Sequence, residues 1–306
     1  TGSGSALVFQ GTQSFNDATI NLGSATTSGN LHNDGTGTLT LGSGVTVQGR
    51  GNIGSQAFVG GAATLINQGT IKANLDGQTL SISGNGVNTF TNQGTAQALA
   101  SGSTLSISAA NWSNASGGLI SATGGSTVSL SGNWTNAATI ENTSSILNLG
   151  GSFTLPALGT INRSGGTVNL VGTLDNAATT FNVGNGTSIG TVTMNGGTIR
   201  NGTVQLNGGT GLVFANANNI LDAVTLHGVL DLSAPSSVVR VFNGLTLLSE
   251  AGTSPGVANV TGSGSALVFQ GTQSFNDATI NLGSATTSGN LHNDGTGTLT
   301  LGSGVT

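Results

Sequence analysis

Short runs in which apolar and polar residues alternate recur along the chain. The first three are Thr79-Leu80-Ser81-Ile82-Ser83, Thr104-Leu105-Ser106-Ile107-Ser108 and Thr127-Val128-Ser129-Leu130-Ser131. Ile146-Leu147-Asn148-Leu149, Thr167-Val168-Asn169-Leu170 and Thr191-Val192-Thr193-Met194 follow. A two-residue period is that of a strand with one buried face. The first aliphatic positions are separated by 25, 23, 19, 21 and 24 residues. Turn signals such as Gly84-Asn85-Gly86, Gly117-Gly118 and Gly124-Gly125 lie between the runs, and no stretch keeps a helical period.

A second set of strands keeps step with the first. Asn67-Gln68-Gly69-Thr70 returns 25 residues later as Asn92-Gln93-Gly94-Thr95, and Asn111-Trp112-Ser113-Asn114 returns 22 later as Asn133-Trp134-Thr135-Asn136. A period of this size, holding two or three short strands and their turns, is one coil of a β-helix. One coil cannot bury its own apolar face, whereas stacked coils cover each other. The expected fold is therefore all-β: a right-handed parallel β-helix, or β-solenoid, of about 19–25 residues per coil. The hand follows from the general chirality of β crossovers. Leu80, Leu105, Val128, Leu147, Val168 and Val192 are expected to form one core column. Ile82, Ile107, Leu130, Leu149, Leu170 and Met194 are expected to form a second.

A longer repeat encloses the short one. Residues 1–46 return without a change as residues 261–306, a period of 260 residues. This divides the chain into one full repeat, 1–260, of about 12 coils, and the start of the next, 261–306. In a tandem array such copies would stack end to end, each repeat rising roughly 55–60 Å.

Composition narrows the functional classes. Charged residues make up 5% of the 306, with 53 Gly, no Cys and a net charge of -5. The five cations, Arg50, Lys72, Arg163, Arg200 and Arg240, are scattered, so the basic stripe that nucleic acid requires is missing. No apolar run approaches the length of a membrane span, and no membrane insertion is expected of this segment. The recurrent Val, Ile and Leu clusters exclude a disordered chain. A coat with so few ionisable groups implies weak dependence on pH and moderate salt.

The Asn-Gln-Gly-Thr-Ile string at Asn67–Ile71, its echo at Asn92–Ala96 and the Thr-Leu-Ser-Ile-Ser strands resemble the repetitive passenger regions of large bacterial surface proteins. These are the filamentous haemagglutinin-like adhesins and the autotransporter passengers. The resemblance implies an extracellular β-helical stalk or adhesive fibre at the cell surface, with host or surface glycans as partners and lateral association between fibres. It carries over no catalytic residue, cofactor or metal, and the chain is read as a non-enzyme.

Candidate chemistry is sparse. Asn111, Asn114, Asn133 and Asn136 are read as amide ladders, each side chain bonding the next coil. Trp112 and Trp134 sit one coil apart as a structural stack or a sugar platform. Asp222 and Asp231, the nearest acids in sequence, are the pair a polysaccharide-cleaving site would need. His32, His227 and His292 are isolated. Asn33-Asp34-Gly35 reads as a turn before it reads as a calcium ligand. Thr36, Thr38 and Thr40 raise an ice-binding face, which the uneven coil length disfavours. A carbohydrate-binding or polysaccharide-processing β-helix and an ice-binding module thus stay open beside the stalk.

Overall fold

The computed structural model describes residues 4–82, 87–209 and 211–306; Ser83 and the Gly84-Asn85-Gly86 turn lie outside them. The chain is all-β, 55% strand and 1% helix, with parallel sheets stacked as a β-solenoid of about 13 turns. It divides into two compact units, Thr1–Thr167 and Val168–Thr306.

In unit 1 the strands follow one another around three faces and then begin again, so each pairs with the strand three further along. Face one runs from Ala6–Gln10 to Ile146–Leu149 and face three from Thr19–Leu22 to Thr160–Ser164. Face two contains Gln13–Phe15, Thr38–Leu41, Ala63–Asn67, Val87–Asn92, Asn111–Asn114, Asn133–Asn136 and Ser152–Thr154. Every such pairing is parallel, and along face one of the later coils it joins like to like: Leu80 faces Leu105, Leu105 faces Val128, and Val128 faces Leu147. Ile82, Ile107, Leu130 and Leu149 form the neighbouring column, and all eight side chains are buried. Each contributes about 2 kcal/mol of apolar burial. Coil length varies from 19 residues between Val128 and Leu147 to 29 between Ile53 and Ile82. The added length leaves as loops, so the registered columns are undisturbed. In the first coils Gly51 faces Leu80. Its φ of 138° and the Gly29 carbonyl against it leave no room for a Cβ there.

Unit 2 begins in the same way. Val168 faces Val192 and Leu170 faces Met194, all four buried. Two long strands, Asn219–His227 and Val238–Leu248, then replace pairs of short ones. The first half of Asn219–His227 pairs with Thr198–Arg200 and its second half with Thr203–Asn207. The chain turns the corner within the strand through a left-handed residue, Ala223 at φ 55°. Asn201 at 63° and Asn243 at 54° hold the corners of the adjoining coils. Asn accepts this conformation readily, whereas alanine is strained there. Ala223→Gly is therefore expected to stabilise unit 2 by about 1 kcal/mol, measured as a raised urea midpoint with unchanged slope.

The duplicated segment folds alike in both places. Ala6–Gln10 pairs with Gly29–Asp34 in the register Ala6↔Asn30, and Ala266–Gln270 pairs with Asn290–Asp294 in the register Ala266↔Asn290. Gln13↔Leu39 likewise recurs as Gln273↔Leu299. Burial differs with the neighbours. Leu7 is 42% exposed, whereas its copy Leu267, against Val239, is fully buried. Leu39, covered by Leu65, is fully buried, and its copy Leu299 is half-buried.

Candidate functional site

The second face of unit 1 concentrates the polar and aromatic residues singled out in the sequence. Along each strand, alternate side chains point inward. Asn67, Asn92, Asn114 and Asn136 therefore stack in the core, one per coil and all buried. Each amide donates to the next: Asn67 Nδ2 to Asn92 Oδ1, Asn92 Nδ2 to Asn114 Oδ1 and Asn114 Nδ2 to Asn136 Oδ1, each at 2.8 Å. The same amides also reach carbonyls of the strands on face three, at Thr95, Leu119, Thr139 and Thr160. The ladder thus ties the corner between two faces. It begins at Asn67 because the residue beneath, Leu41, has no amide to offer, and Asn67 Oδ1 is left without a donor. It ends at the short helix Leu155–Leu158, capped by Thr154, whose Leu158 carbonyl accepts from Asn136 Nδ2 at 3.1 Å. Asn67 and Asn92 belong to the ladder as fully as Asn114 and Asn136. Their signal was the repeated Asn-Gln-Gly-Thr string.

Two residues away on the same strands lie the rings. Phe90 faces Trp112, and Trp112 faces Trp134. The indoles stack at 5.3 Å between centroids, and Phe153 continues the stack at 4.4 Å. Trp112 Nε1 donates to the Ser131 carbonyl and Trp134 Nε1 to the Gly150 carbonyl. Only 4% and 3% of the two tryptophans is exposed. Asn111 and Asn133 are on the outside instead, joined by one long contact of 3.4 Å. Together with neighbouring hydroxyls they line an open groove of about 480 Å³ on the outside of the strands that carry the rings; the rings themselves are buried on the inward side.

The other candidates are separate. Asp222 bonds Arg200 at 3.0 Å and also accepts from Asn243, while Asp231 on another sheet accepts from the Ser233 amide. The structure does not join the two acids in one bonded cluster. His32 Nδ1 contacts the Ser55 carbonyl and hydroxyl, His227 Nδ1 meets Gln205, and His292 is exposed. Thr36 is exposed, and Thr38 and Thr40 are half-buried. Among the described residues no group of three or more His, Asp or Glu could hold a metal ion, and no helix is long and apolar enough to cross a membrane.

Asn33 and Asp34 close strand Gly29–Asp34, both buried, and only Gly35, at φ 86°, turns the chain. The Asp34 carboxylate accepts from the Ala57 and Phe58 amides at 2.8 and 3.0 Å, pinning the loop that carries the exposed Phe58. The Ala57 amide does most to hold the Asp34 carboxyl below its ordinary value. The Phe58 and Val59 amides and the His32 charge assist, against the burial that pushes it up. A lowered value in the folded state means that the stabilisation is complete above the unfolded value, about 4. It is lost as pH falls through the folded one. Hydrogen exchange at residues 57–59 is expected to accelerate relative to the rest of unit 1 as pH drops below about 4, and Asp34→Asn should show that loosening at neutral pH.

Compared with known proteins, the chain matches no family model, no curated protein and no solved structure.

Proposed function

We propose that this chain is a stretch of a tandem β-solenoid stalk that works outside a bacterial cell, as a structural and adhesive fibre. The observation that carries the reading is the seam between the 260-residue repeat and its copy. Val238–Leu248 pairs with Ala266–Gln270 through Val238↔Ala266 and Val241↔Phe269, and Gly256–Val260 pairs with Ala278–Leu282 in full register. The end of one repeat thus serves as the covering coil for the start of the next, by the same parallel pairing used inside a repeat. Phe269 and Phe275, on the covered side, are fully buried. A chain joined this way lengthens without exposing a new apolar face. A coat with only 5% charged residues adds little repulsion between fibres.

The test compares proteins carrying one, two and three copies of residues 1–260 by electron microscopy. The expected length increment is constant, roughly 55–60 Å per copy, with a constant cross-section. Increments that shrink with copy number, or copies that fold as separate beads, would overturn the stalk. Adhesion is tested on beads coated with the three-copy protein, which are expected to be retained under flow on cell or matrix surfaces that release bare beads.

A further inference from the structure

We propose that Asn185 is a site of spontaneous deamidation, and that the acid it becomes loosens the hairpin at residues 249–255. Neither event depends on the stalk reading. An asparagine that precedes glycine closes on itself readily, because glycine puts no side chain in the way. The glycine amide nitrogen attacks the asparagine Cγ, its proton leaves with the side-chain nitrogen as ammonia, and a cyclic imide forms. Water then opens the ring at either carbonyl to give aspartate or isoaspartate. The first step exchanges one C–N bond for another, and the second replaces a C–N bond by a C–O bond. One water is consumed and one ammonia released, with no change of oxidation state and no cofactor.

Folding slows the first step wherever a hydrogen bond holds the attacking N–H or fixes the side-chain amide. The chain has six Asn-Gly pairs, and five of them are among the described residues. Four of the five are tied. Gly196 N donates to Asn219 Oδ1 at 2.9 Å. Gly208 N donates to Glu250 Oε1 at 2.9 Å, and Asn207 Nδ2 to the Val183 carbonyl at 3.1 Å. Gly244 N donates to Gln273 Oε1 at 3.1 Å, and Asn243 Nδ2 to Asp222 Oδ1 at 2.6 Å. Asn201 Nδ2 donates to Asp175 Oδ1 at 3.0 Å. Asn185 is different. It and Gly186 are both exposed, and among the described residues neither the Asn185 side chain nor the Gly186 N–H has a partner. The Asn185 backbone N–H, which takes no part in the reaction, donates to the Asn207 carbonyl at 2.8 Å. The turn is closed by a long Thr187 N to Gly184 O bond of 3.3 Å and by the Thr187 hydroxyl, both outside the Asn185–Gly186 peptide. Even a Cβ added at Gly186 would meet nothing within 4 Å, so the peptide can rotate until the nitrogen reaches Cγ.

The new charge would fall beside an existing one. The hairpin is closed by Ser249 N to Ser254 O at 2.8 Å and folds back on earlier coils through Glu250. The Glu250 carbonyl accepts from Gln205 Nε2 at 3.0 Å, and its carboxylate accepts from Gly208 N. Asn185 Cβ lies 3.2 Å from where a Cβ on Gly208 would stand. A carboxylate at position 185 therefore confronts the Glu250 carboxylate across a single residue. Both positions are exposed, so the repulsion is modest and fades in high salt.

The experiment incubates the 306-residue protein in mildly alkaline buffer at body temperature and follows each Asn-Gly pair by peptide mapping and mass spectrometry. Each bond that must break first slows the reaction about fivefold, so Asn185 is expected to convert at least about fivefold faster than Asn195, Asn201, Asn207 or Asn243. In urea these differences are expected to collapse. Asn185→Gln, which lacks the five-membered ring route, is expected to lose the signal and to unfold at the parent temperature. Asn185→Asp supplies the product directly, and hydrogen exchange at residues 249–255 is expected to quicken about threefold in low salt. Adding Glu250→Gln, which keeps an acceptor for the Gly208 amide, is expected to cancel that gain. Conversion of Asn185 no faster than that of Asn207 or Asn243 in the folded protein would overturn the modification site. Unchanged exchange in Asn185→Asp would overturn its effect on the hairpin.

Discussion

Trp134→Ala is expected to destabilise unit 1 by about 4 kcal/mol, the range for emptying a large aromatic site from a packed core. The indole is 3% exposed and lies between Trp112 at 5.3 Å and Phe153 at 4.4 Å. Removing it deletes both ring contacts and leaves the Gly150 carbonyl without its donor. Coils above and below cannot close the gap, because their backbones are held in a parallel ladder with fixed spacing. Trp134→Phe separates the two effects. It keeps a ring in the stack and loses only the Nε1 bond, at an expected cost of 1–2 kcal/mol, roughly that of an unpaired buried acceptor. Urea unfolding followed by far-ultraviolet circular dichroism, with hydrogen exchange to localise the loss, makes the comparison. A change under about 1 kcal/mol for Trp134→Ala would mean that the stack is not part of the core.

The second large effect is at Asn114. Asn114→Ala removes one acceptor and two donated bonds at once: from Asn92 Nδ2, to Asn136 Oδ1 and to the Thr139 carbonyl. These groups are out of reach of water, and their loss is expected to cost about 3 kcal/mol, near 1 per bond. Asn111→Ala is three residues away on the same strand and should cost less than about 0.5 kcal/mol, as for an ordinary surface change. The pair tests whether the ladder is cooperative: Asn92→Ala added to Asn114→Ala should cost less than the sum of the two single changes, because they share one bond. Strict additivity would show that the amides act independently.

The architecture was legible because its signal is periodic. Leu80, Leu105, Val128 and Leu147 occupy one column, which follows directly from a two-residue alternation repeated at coil intervals. Sequence spacing alone did not distinguish inward from outward asparagines. Asn111 and Asn114 occur in the same tetrapeptide, and only strand parity relative to Trp112 places one outside and the other in the ladder. Asn33 and Asp34 looked like a turn because their residue types favour turns. Tertiary pairing with residues 55–64 overrides that preference and draws both into a strand end. The long strands Asn219–His227 and Val238–Leu248 were not visible as such. Their corners lie at Ala223 and Asn243, and alanine carries no turn signal. The 29-residue coil before Ile82 also exceeds the spacings that the regular clusters suggested, because its loop is outside the repeating pattern.

The way Val238–Val260 seats the returning segment has a genetic corollary. Unequal crossing-over between identical stretches adds or deletes whole 260-residue modules, and every resulting boundary reproduces the one between Val260 and Thr261. A change in copy number therefore needs no compensating substitution, because the joint it recreates is one the fold already satisfies.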